Sequence, residues 1–69
     1  MNLTNEQFNI LIAIKDYISI HGISPTIREL CEITGKESPA TIHFHLKALK
    51  KKGYIDFLNK KSRTIRLLK

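Results

Sequence analysis

Residues 38–53 constrain the fold of this chain most strongly, because both ends of one amphipathic helix can be recognised in them. Ser38 is a preferred N-cap residue, Pro39 suits the first helical position, and Gly53 is the usual residue just past a helix end. At about 100° per residue, three large apolar side chains share one side of this helix. They are Ile42, Leu46 and Leu49. The pattern predicts a helix over residues 39–52 with an apolar back.

The other side of the same helix is basic and mixed in character. It carries lysines, a histidine, a phenylalanine and almost no acid, and it comprises Ala40, His43, Phe44, Lys47, Lys50 and Lys51. A helix with an apolar back and a basic front is what reading bases in the DNA major groove requires. The stretch therefore favours a nucleic-acid-binding helix.

Two capping boxes predict two further helices before this one. In each box a threonine hydroxyl accepts a backbone hydrogen bond, and a glutamine or glutamate three residues later accepts one in return. The pairs are Thr4 with Gln7 and Thr26 with Glu29. The apolar spacing extends the two helices over residues 5–20 and 27–34, with Phe8 and Ile33 on their inward sides.

The remaining segments complete the predicted architecture. Two short helices separated by residues 35–37, which include a glycine, are typical of a helix-turn-helix. Apolar residues alternate over residues 54–57 and 64–67, which predicts the two strands of a β-hairpin around a basic loop. We therefore predict one domain over residues 1–69, mostly α with a small β-hairpin, of the three-helix winged helix-turn-helix class.

Charge is distributed unevenly along the chain, whose net charge is +6 over 69 residues. Residues 1–34 carry two basic and four acidic side chains, whereas residues 35–69 carry ten basic and two acidic ones. This asymmetry favours a polyanionic partner. No apolar run reaches the roughly 20 residues that a membrane span needs, and the single cysteine excludes an internal disulfide framework. We expect a cytoplasmic protein with no membrane partner.

Several separate motifs resemble the DNA-binding domain of the LexA repressor family, in the same order and over nearly the whole chain. The residues that carry the resemblance are Leu3, Thr4 and Gln7; Ser24, Pro25, Thr26, Arg28, Glu29 and Leu30; Ser38, Pro39 and Thr41; residues 45–55; and residues 62–67. Phe44 departs from the Gram-positive branch of the family, which usually has glycine at that position. The resemblance therefore does not assign an operator sequence.

The resemblance implies a transcriptional repressor module that binds double-stranded DNA at the operators of DNA-damage (SOS) genes. We expect pseudo-palindromic operators, read by two copies that form at most a weak homodimer on DNA. The protein would be bacterial or phage-encoded and associated with the nucleoid. No enzymatic activity is expected, because the self-cleaving serine protease domain of full-length LexA proteins is absent from these 69 residues.

We predict that the first two turns of the third helix read bases. The candidates are Ser38, Ala40, Thr41, His43 and Phe44. Thr41 and His43 can hydrogen-bond base edges, whereas Ala40 and Phe44 can contact a thymine methyl group. Two alternatives stay open at this point. Ser38 can serve as a helix cap, and Phe44 can contact a protein partner instead of DNA.

A second group of basic residues is predicted to contact DNA phosphates. It comprises Arg28, Lys47, Lys50, Lys51, Lys60, Lys61 and Arg63. The alternative for Arg28 is a helical ion pair with Glu32, and the alternative for the lysines is a solvated face.

One rival hypothesis belongs to another functional class. It is a LexA-like protein-interaction module, for example a phage or mobile-element regulator that binds a host protein, and Phe44 on the basic front keeps it open. No cofactor, metal or small-molecule ligand is expected. His43 and His45 are two residues apart, so they point in different directions on a helix, and Cys31 has no zinc-ligand spacing with them.

Overall fold

A computed structural model describes residues 3–35 and 38–69, and within them three helices precede one antiparallel hairpin. The elements are α1 (Asn5–His21), α2 (Ile27–Thr34), α3 (Pro39–Lys51), β1 (Ile55–Asp56) and β2 (Arg66–Leu67). This confirms the predicted class, mostly α with a small β-hairpin in a three-helix winged helix-turn-helix. Two residues of the predicted turn, Lys36 and Glu37, lie outside the described residues. Among the helices described, none is long and apolar enough to cross a membrane.

Both predicted capping boxes form at the starts of α1 and α2. The Thr4 hydroxyl accepts from the Gln7 amide at 3.1 Å, and the Gln7 side chain accepts from the Thr4 amide at 3.2 Å. At α2 the Thr26 hydroxyl accepts from the Glu29 amide at 3.0 Å, and Glu29 Oε1 accepts from the Thr26 amide at 2.8 Å. Each cap satisfies amides that have no partner inside the helix, which is worth about 1 kcal/mol.

The core lies where all three helices and the hairpin meet. It consists of Ile10, Leu11, Ala13, Ile14, Leu30, Ile42, Leu46, Leu49, Ile55, Phe57 and Ile65. The predicted apolar back of α3 is fully buried in this core: Ile42, Leu46 and Leu49 are each 0% exposed. Helix α1 packs against both other helices.

Two apolar residues that were predicted to face inward are exposed instead. Phe8 is 52% exposed, because it lies two residues from the buried Ile10 and therefore about 200° round the helix. Ile33 is 51% exposed, because α2 packs on the core through Leu30 with Ile27 and Cys31 beside it, and Ile33 lies about 110° round the helix from that face. The inward prediction for both side chains was wrong.

Helix α3 ends one residue before the predicted boundary, in a hydrogen-bonded turn around Gly53. The Gly53 amide donates to the Lys50 carbonyl and the Tyr54 amide to the Leu49 carbonyl, both at 3.0 Å. Gly53 has a φ of 83°, which a residue with a Cβ adopts only at a cost. This Schellman turn sends the chain directly into β1.

The hairpin ladder is shorter than the alternating pattern suggested. Its paired residues are Ile55 with Leu67 and Asp56 with Arg66. At the open end the Leu68 amide donates to the Tyr54 carbonyl at 2.9 Å, whereas on the loop side of the pairs side chains replace the ladder bonds. The Leu58 amide donates to the Thr64 hydroxyl at 2.9 Å, and the Ile65 amide donates to the Ser24 hydroxyl at 3.0 Å. The second-strand side of the hairpin is therefore anchored partly on the segment before α2 instead of on the first strand.

Candidate nucleic-acid interface

The N-terminal end of α3 presents a pair of bonded hydroxyl groups. Ser38 Oγ accepts from the Thr41 amide at 3.2 Å and lies 2.9 Å from Thr41 Oγ1. The first contact confirms that Ser38 caps the helix. Only one hydroxyl hydrogen is used between the two side chains, so the pair keeps one donor and several acceptor positions for another partner. The capping role and a base contact are therefore compatible.

Phe44 forms the apolar part of the α3 front. Its side chain is 68% exposed, and the exposed Ala40 precedes it by four residues on the same face of the helix. The Phe44 ring lies 5.7 Å from the ring of His45, between centroids. An exposed ring of this size next to a small methyl group can contact the methyl groups of thymine.

His43 lies at the junction between α3 and the hairpin, and it is half-buried there. Its Nε2 atom is 3.4 Å from Asn59 Oδ1, and its ring meets the edge of the Phe57 ring at 5.8 Å between centroids. One ring nitrogen of this predicted base reader therefore faces the loop of the hairpin. Asn59 carried no local sequence signal for a site role, because the contact joins residues 16 positions apart.

Four of the predicted phosphate-binding lysines are exposed, and their side chains make no hydrogen bond or ion pair with the described residues. They are Lys47 and Lys51 on α3, and Lys60 and Lys61 in the hairpin loop. A surface groove between α3 and the hairpin is lined by Lys47, Lys50, Lys51, Phe57 and Asn59. The helix lysines and the base of the hairpin loop are therefore brought to one groove.

Lys50 is held more closely by the protein than these four lysines. Its Nζ donates to the Phe57 carbonyl at 3.0 Å, lies 3.3 Å from Asp56 Oδ1, and sits 5.1 Å from the centroid of the Phe57 ring. The hydrogen bond from Lys50 is the main cause that lowers the pKa of Asp56 below its ordinary value. Arg28 is exposed on α2, and no ion pair joins it to Glu32, although both residues are described.

Arg63 has protein partners for both of its terminal nitrogens. Nη1 donates to Glu29 Oε1 at 3.1 Å and to the Ser24 carbonyl at 3.1 Å, while Nη2 donates to Glu29 Oε2 at 3.0 Å. The Thr26 amide and then Arg63 lower the pKa of Glu29 from 4.5 to about 2. The local sequence pattern indicates only a capping role for Glu29, because its pairing with Arg63 spans 34 positions.

The metal-binding residue types do not converge. Within residues 3–35 and 38–69, no three histidine, cysteine, aspartate or glutamate side chains group closely enough to hold a metal ion. Cys31 is a half-buried free thiol at the edge of the core.

The fold and this surface together define a class of protein. Helices α2 and α3 pack against each other, α3 presents an exposed front, and an antiparallel hairpin with a basic loop flanks it. This is a winged helix-turn-helix domain, in which α3 is the recognition helix and the hairpin with its loop (residues 55–67) is the wing. The family described as the LexA DNA binding domain matches residues 1–64. The chain belongs to the LexA DNA-binding domain family.

Individual relatives agree with the family match. The chain is 48% identical to the LexA repressor of Desulfatibacillum aliphaticivorans over 68 residues, which are 99% of this chain and 34% of that protein. It is 41% identical to the LexA repressor of Carboxydothermus hydrogenoformans over 96% of this chain and 32% of the relative. For the LexA repressor of Caldicellulosiruptor saccharolyticus the identity is 46%, over 96% of this chain and 33% of the relative. The chain thus spans about a third of the length of these relatives.

Proposed function

We propose that this chain is the sequence-specific, double-stranded-DNA-binding module of a LexA-type transcriptional repressor. The observation that carries the proposal is the shared surface of α3 and the wing. Exposed side chains at the start of α3 stand beside a groove lined by lysines, and the basic loop of the wing adjoins that groove. The names of the relatives, which are repressors, favour DNA over a protein as the partner of this surface.

Base reading is assigned to the first two turns of α3. The proposed readers are Ser38, Ala40, Thr41, His43 and Phe44. The hydroxyl pair at the helix start has a donor left to offer a base edge, and the apolar pair of Ala40 and Phe44 suits thymine methyl groups. His43 would present to the groove the part of its ring that Asn59 and Phe57 leave uncovered.

Phosphate binding is assigned to the exposed lysines on either side of the groove. Lys47 and Lys51 would hold the backbone beside α3, and Lys60 and Lys61 the backbone beside the wing. Lys50 would join them after exchanging its contact with Asp56 for a phosphate oxygen, and Arg28 would contribute from α2. Each such contact releases condensed counterions, so affinity should depend steeply on salt.

The resemblance to the LexA family also suggests a biological target. We propose pseudo-palindromic operators of DNA-damage genes, each read by two copies of the module in a bacterial or phage-infected cytoplasm. The two copies would form at most a weak homodimer on DNA.

Titration of duplex DNA tests the proposal. The 69-residue chain is added to fluorescently labelled duplexes carrying operators from damage-inducible promoters, and to scrambled duplexes of equal length and composition. We expect tighter binding to at least one operator class and a log–log salt slope of roughly −0.9 per phosphate contact. Equal affinity for all duplexes would contradict sequence-specific reading. Absence of binding even at low salt would contradict the proposal as a whole.

A further inference from the structure

One side-chain cluster ties the wing to the first two helices. It joins Tyr17 near the end of α1, Ser24 before α2, Glu29 in α2 and Arg63 in the wing loop. The Tyr17 hydroxyl donates to Glu29 Oε2 at 3.0 Å, and both Glu29 oxygens accept from Arg63. Four segments that are distant in sequence therefore meet on one carboxylate and one guanidinium.

The geometry of the pair is specific. Two nearly parallel bonds of 3.1 and 3.0 Å join the Arg63 guanidinium to the Glu29 carboxylate, and the Ser24 carbonyl accepts a third bond from Nη1. Bidentate pairing of this kind fixes orientation as well as distance, which a lysine cannot reproduce. The Ser24 hydroxyl also accepts from the Ile65 amide, so the chain on both sides of Thr64 is anchored.

The backbone of Arg63 also has an uncommon conformation. Its φ of 55° is the one positive value at a non-glycine residue in the described part of the chain. Such a conformation persists where surrounding contacts determine it. At Arg63 the surrounding contacts are those of its own guanidinium, at the end of the loop that carries Lys60 and Lys61.

We propose that Arg63, held by Glu29, is a positioning residue that sets the wing against α2 and thereby brings Lys60 and Lys61 to the DNA backbone. This inference rests on the proposed DNA-binding function. It replaces a direct phosphate contact of Arg63 with an indirect role, because both terminal nitrogens of Arg63 already have acceptors in the protein.

Two neutralising substitutions on α2 separate positioning from charge. Glu29→Gln breaks the ion pair but keeps a side-chain oxygen that can complete the capping box with Thr26. Glu32→Gln makes the same change of charge on the same helix, at an exposed residue outside the cluster. Both variants become more positive by one charge, so electrostatics alone would tighten DNA binding in both.

The expected results for these two variants have opposite signs. Glu32→Gln should bind DNA as tightly as the unchanged chain or more tightly. Glu29→Gln should bind more weakly, by about five- to tenfold at roughly 0.1 M salt for each lysine that no longer reaches a phosphate, with a correspondingly shallower salt slope. Replacing Lys60 and Lys61 by alanine should then cost affinity in the Glu32→Gln background and little in the Glu29→Gln background.

A third variant and a direct readout complete the test. Arg63→Lys leaves the net charge unchanged but removes the bidentate geometry, so it should weaken DNA binding in the same way as Glu29→Gln. Amide relaxation measured by NMR should show greater mobility of residues 59–62 in both variants, with the helices unchanged. Thermal unfolding scans of all variants define a temperature range in which every variant is folded, and the binding and relaxation measurements are made in that range.

The outcomes distinguish this inference from the function on which it rests. If the unchanged chain binds no DNA, the proposed function fails first. If the unchanged chain binds DNA but Glu29→Gln and Arg63→Lys bind as tightly as Glu32→Gln, only the positioning role is overturned. The same holds if the loop of residues 59–62 stays as rigid in both variants as it is in the unchanged chain.

Discussion

Individual side chains on the α3 front divide into those that can carry sequence information and those that can supply affinity. Thr41 and Ser38 offer directional hydrogen-bonding groups, and Phe44 offers a large exposed apolar surface. Lys47 and Lys51 offer mobile point charges without a partner among the described residues. Because a phosphate is the same at every base pair, only the first group can discriminate between sequences.

This division leads to a paired prediction for Thr41 and Lys51. Thr41→Ala should cost about 1–3 kcal/mol on the preferred duplex and little on a scrambled one, because alanine has no hydroxyl to bond a base edge. Lys51→Ala should weaken binding to both duplexes equally and reduce the salt slope by roughly 0.9. Anisotropy titrations over a series of salt concentrations measure both effects. An equal decrease of sequence preference in both variants would contradict the division.

Glu29 also makes stability depend on pH in the acid range. Its pKa is lowered in the folded chain from 4.5 to about 2, first by the Thr26 amide and next by Arg63. The ionised carboxylate therefore stabilises the fold fully above the unfolded value, and this stabilisation is lost as pH falls from 4.5 towards about 2. Asp56, whose pKa is also lowered, adds to the same trend.

The expected result is a falling midpoint of thermal unfolding across that pH range. Glu29→Gln should show a weaker dependence, since its side chain has no proton to bind there. Circular dichroism of both chains at matched ionic strength measures the difference. Parallel pH profiles for the two chains would show that Glu29 is not the group responsible.

At the scale of the elements, the helix termini make the clearest link between sequence and structure. Capping side chains accept hydrogen bonds from free backbone amides at the starts of α1, α2 and α3. The Schellman turn at Gly53 connects α3 to β1. The recognition helix and the wing are therefore joined by a turn of defined geometry, which fixes their relative direction.

Gly53 provides a test of this connection. A Cβ at Gly53 would meet nothing closer than the Lys69 side chain at 3.9 Å, so the only obstacle to a side chain is the φ of 83°. Gly53→Ala should lower the free energy of unfolding by about 1–2 kcal/mol, whereas Gly53→Asn should cost less, because asparagine tolerates the left-handed region better. Urea denaturation measures both. An alanine variant as stable as the unchanged chain would contradict this role.

The elements could be predicted from the sequence because their signals are local. Capping boxes, the proline and glycine boundaries and the spacing of Ile42, Leu46 and Leu49 all act within a few residues. The failures have tertiary causes. Phe8 fits a helical apolar spacing but lies on the side of α1 that faces away from the core. In the hairpin, hydrogen bonds to the Ser24 and Thr64 hydroxyls replace part of the ladder, and no local pattern indicates them.

The geometry of the candidate site was predictable to a similar extent. The exposed lysines and the front of α3 followed from the same helical spacing that defined the apolar back. The partners of Arg63 and His43 did not, since Glu29 and Asn59 lie 34 and 16 positions away in the chain. Contacts of this kind depend on how complete elements pack together, and the sequence pattern of a single element does not indicate that packing.

At the scale of the whole molecule, the uneven distribution of charge along the sequence corresponds to an uneven distribution among the elements of the fold. All the basic residues of positions 38–69 except Lys52 and Lys69 lie in α3 or the wing, whereas the acidic residues outnumber the basic ones in α1 and α2. A molecule with one basic side is attracted to a polyanion in a preferred orientation, which raises the rate of productive encounter at low salt. The fold thus orients the α3 front towards DNA before any base is contacted.

The most direct test of this account is an NMR titration of the isotope-labelled chain with an operator duplex. We predict that amide shifts concentrate at the start of α3 (residues 38–44), at Lys47 and Lys51, and in the wing loop at Lys60 and Lys61. The exposed side of α1, marked by Phe8 and Ile12, should show little change. Shifts that concentrate on that side of α1 and spare α3 would contradict the account.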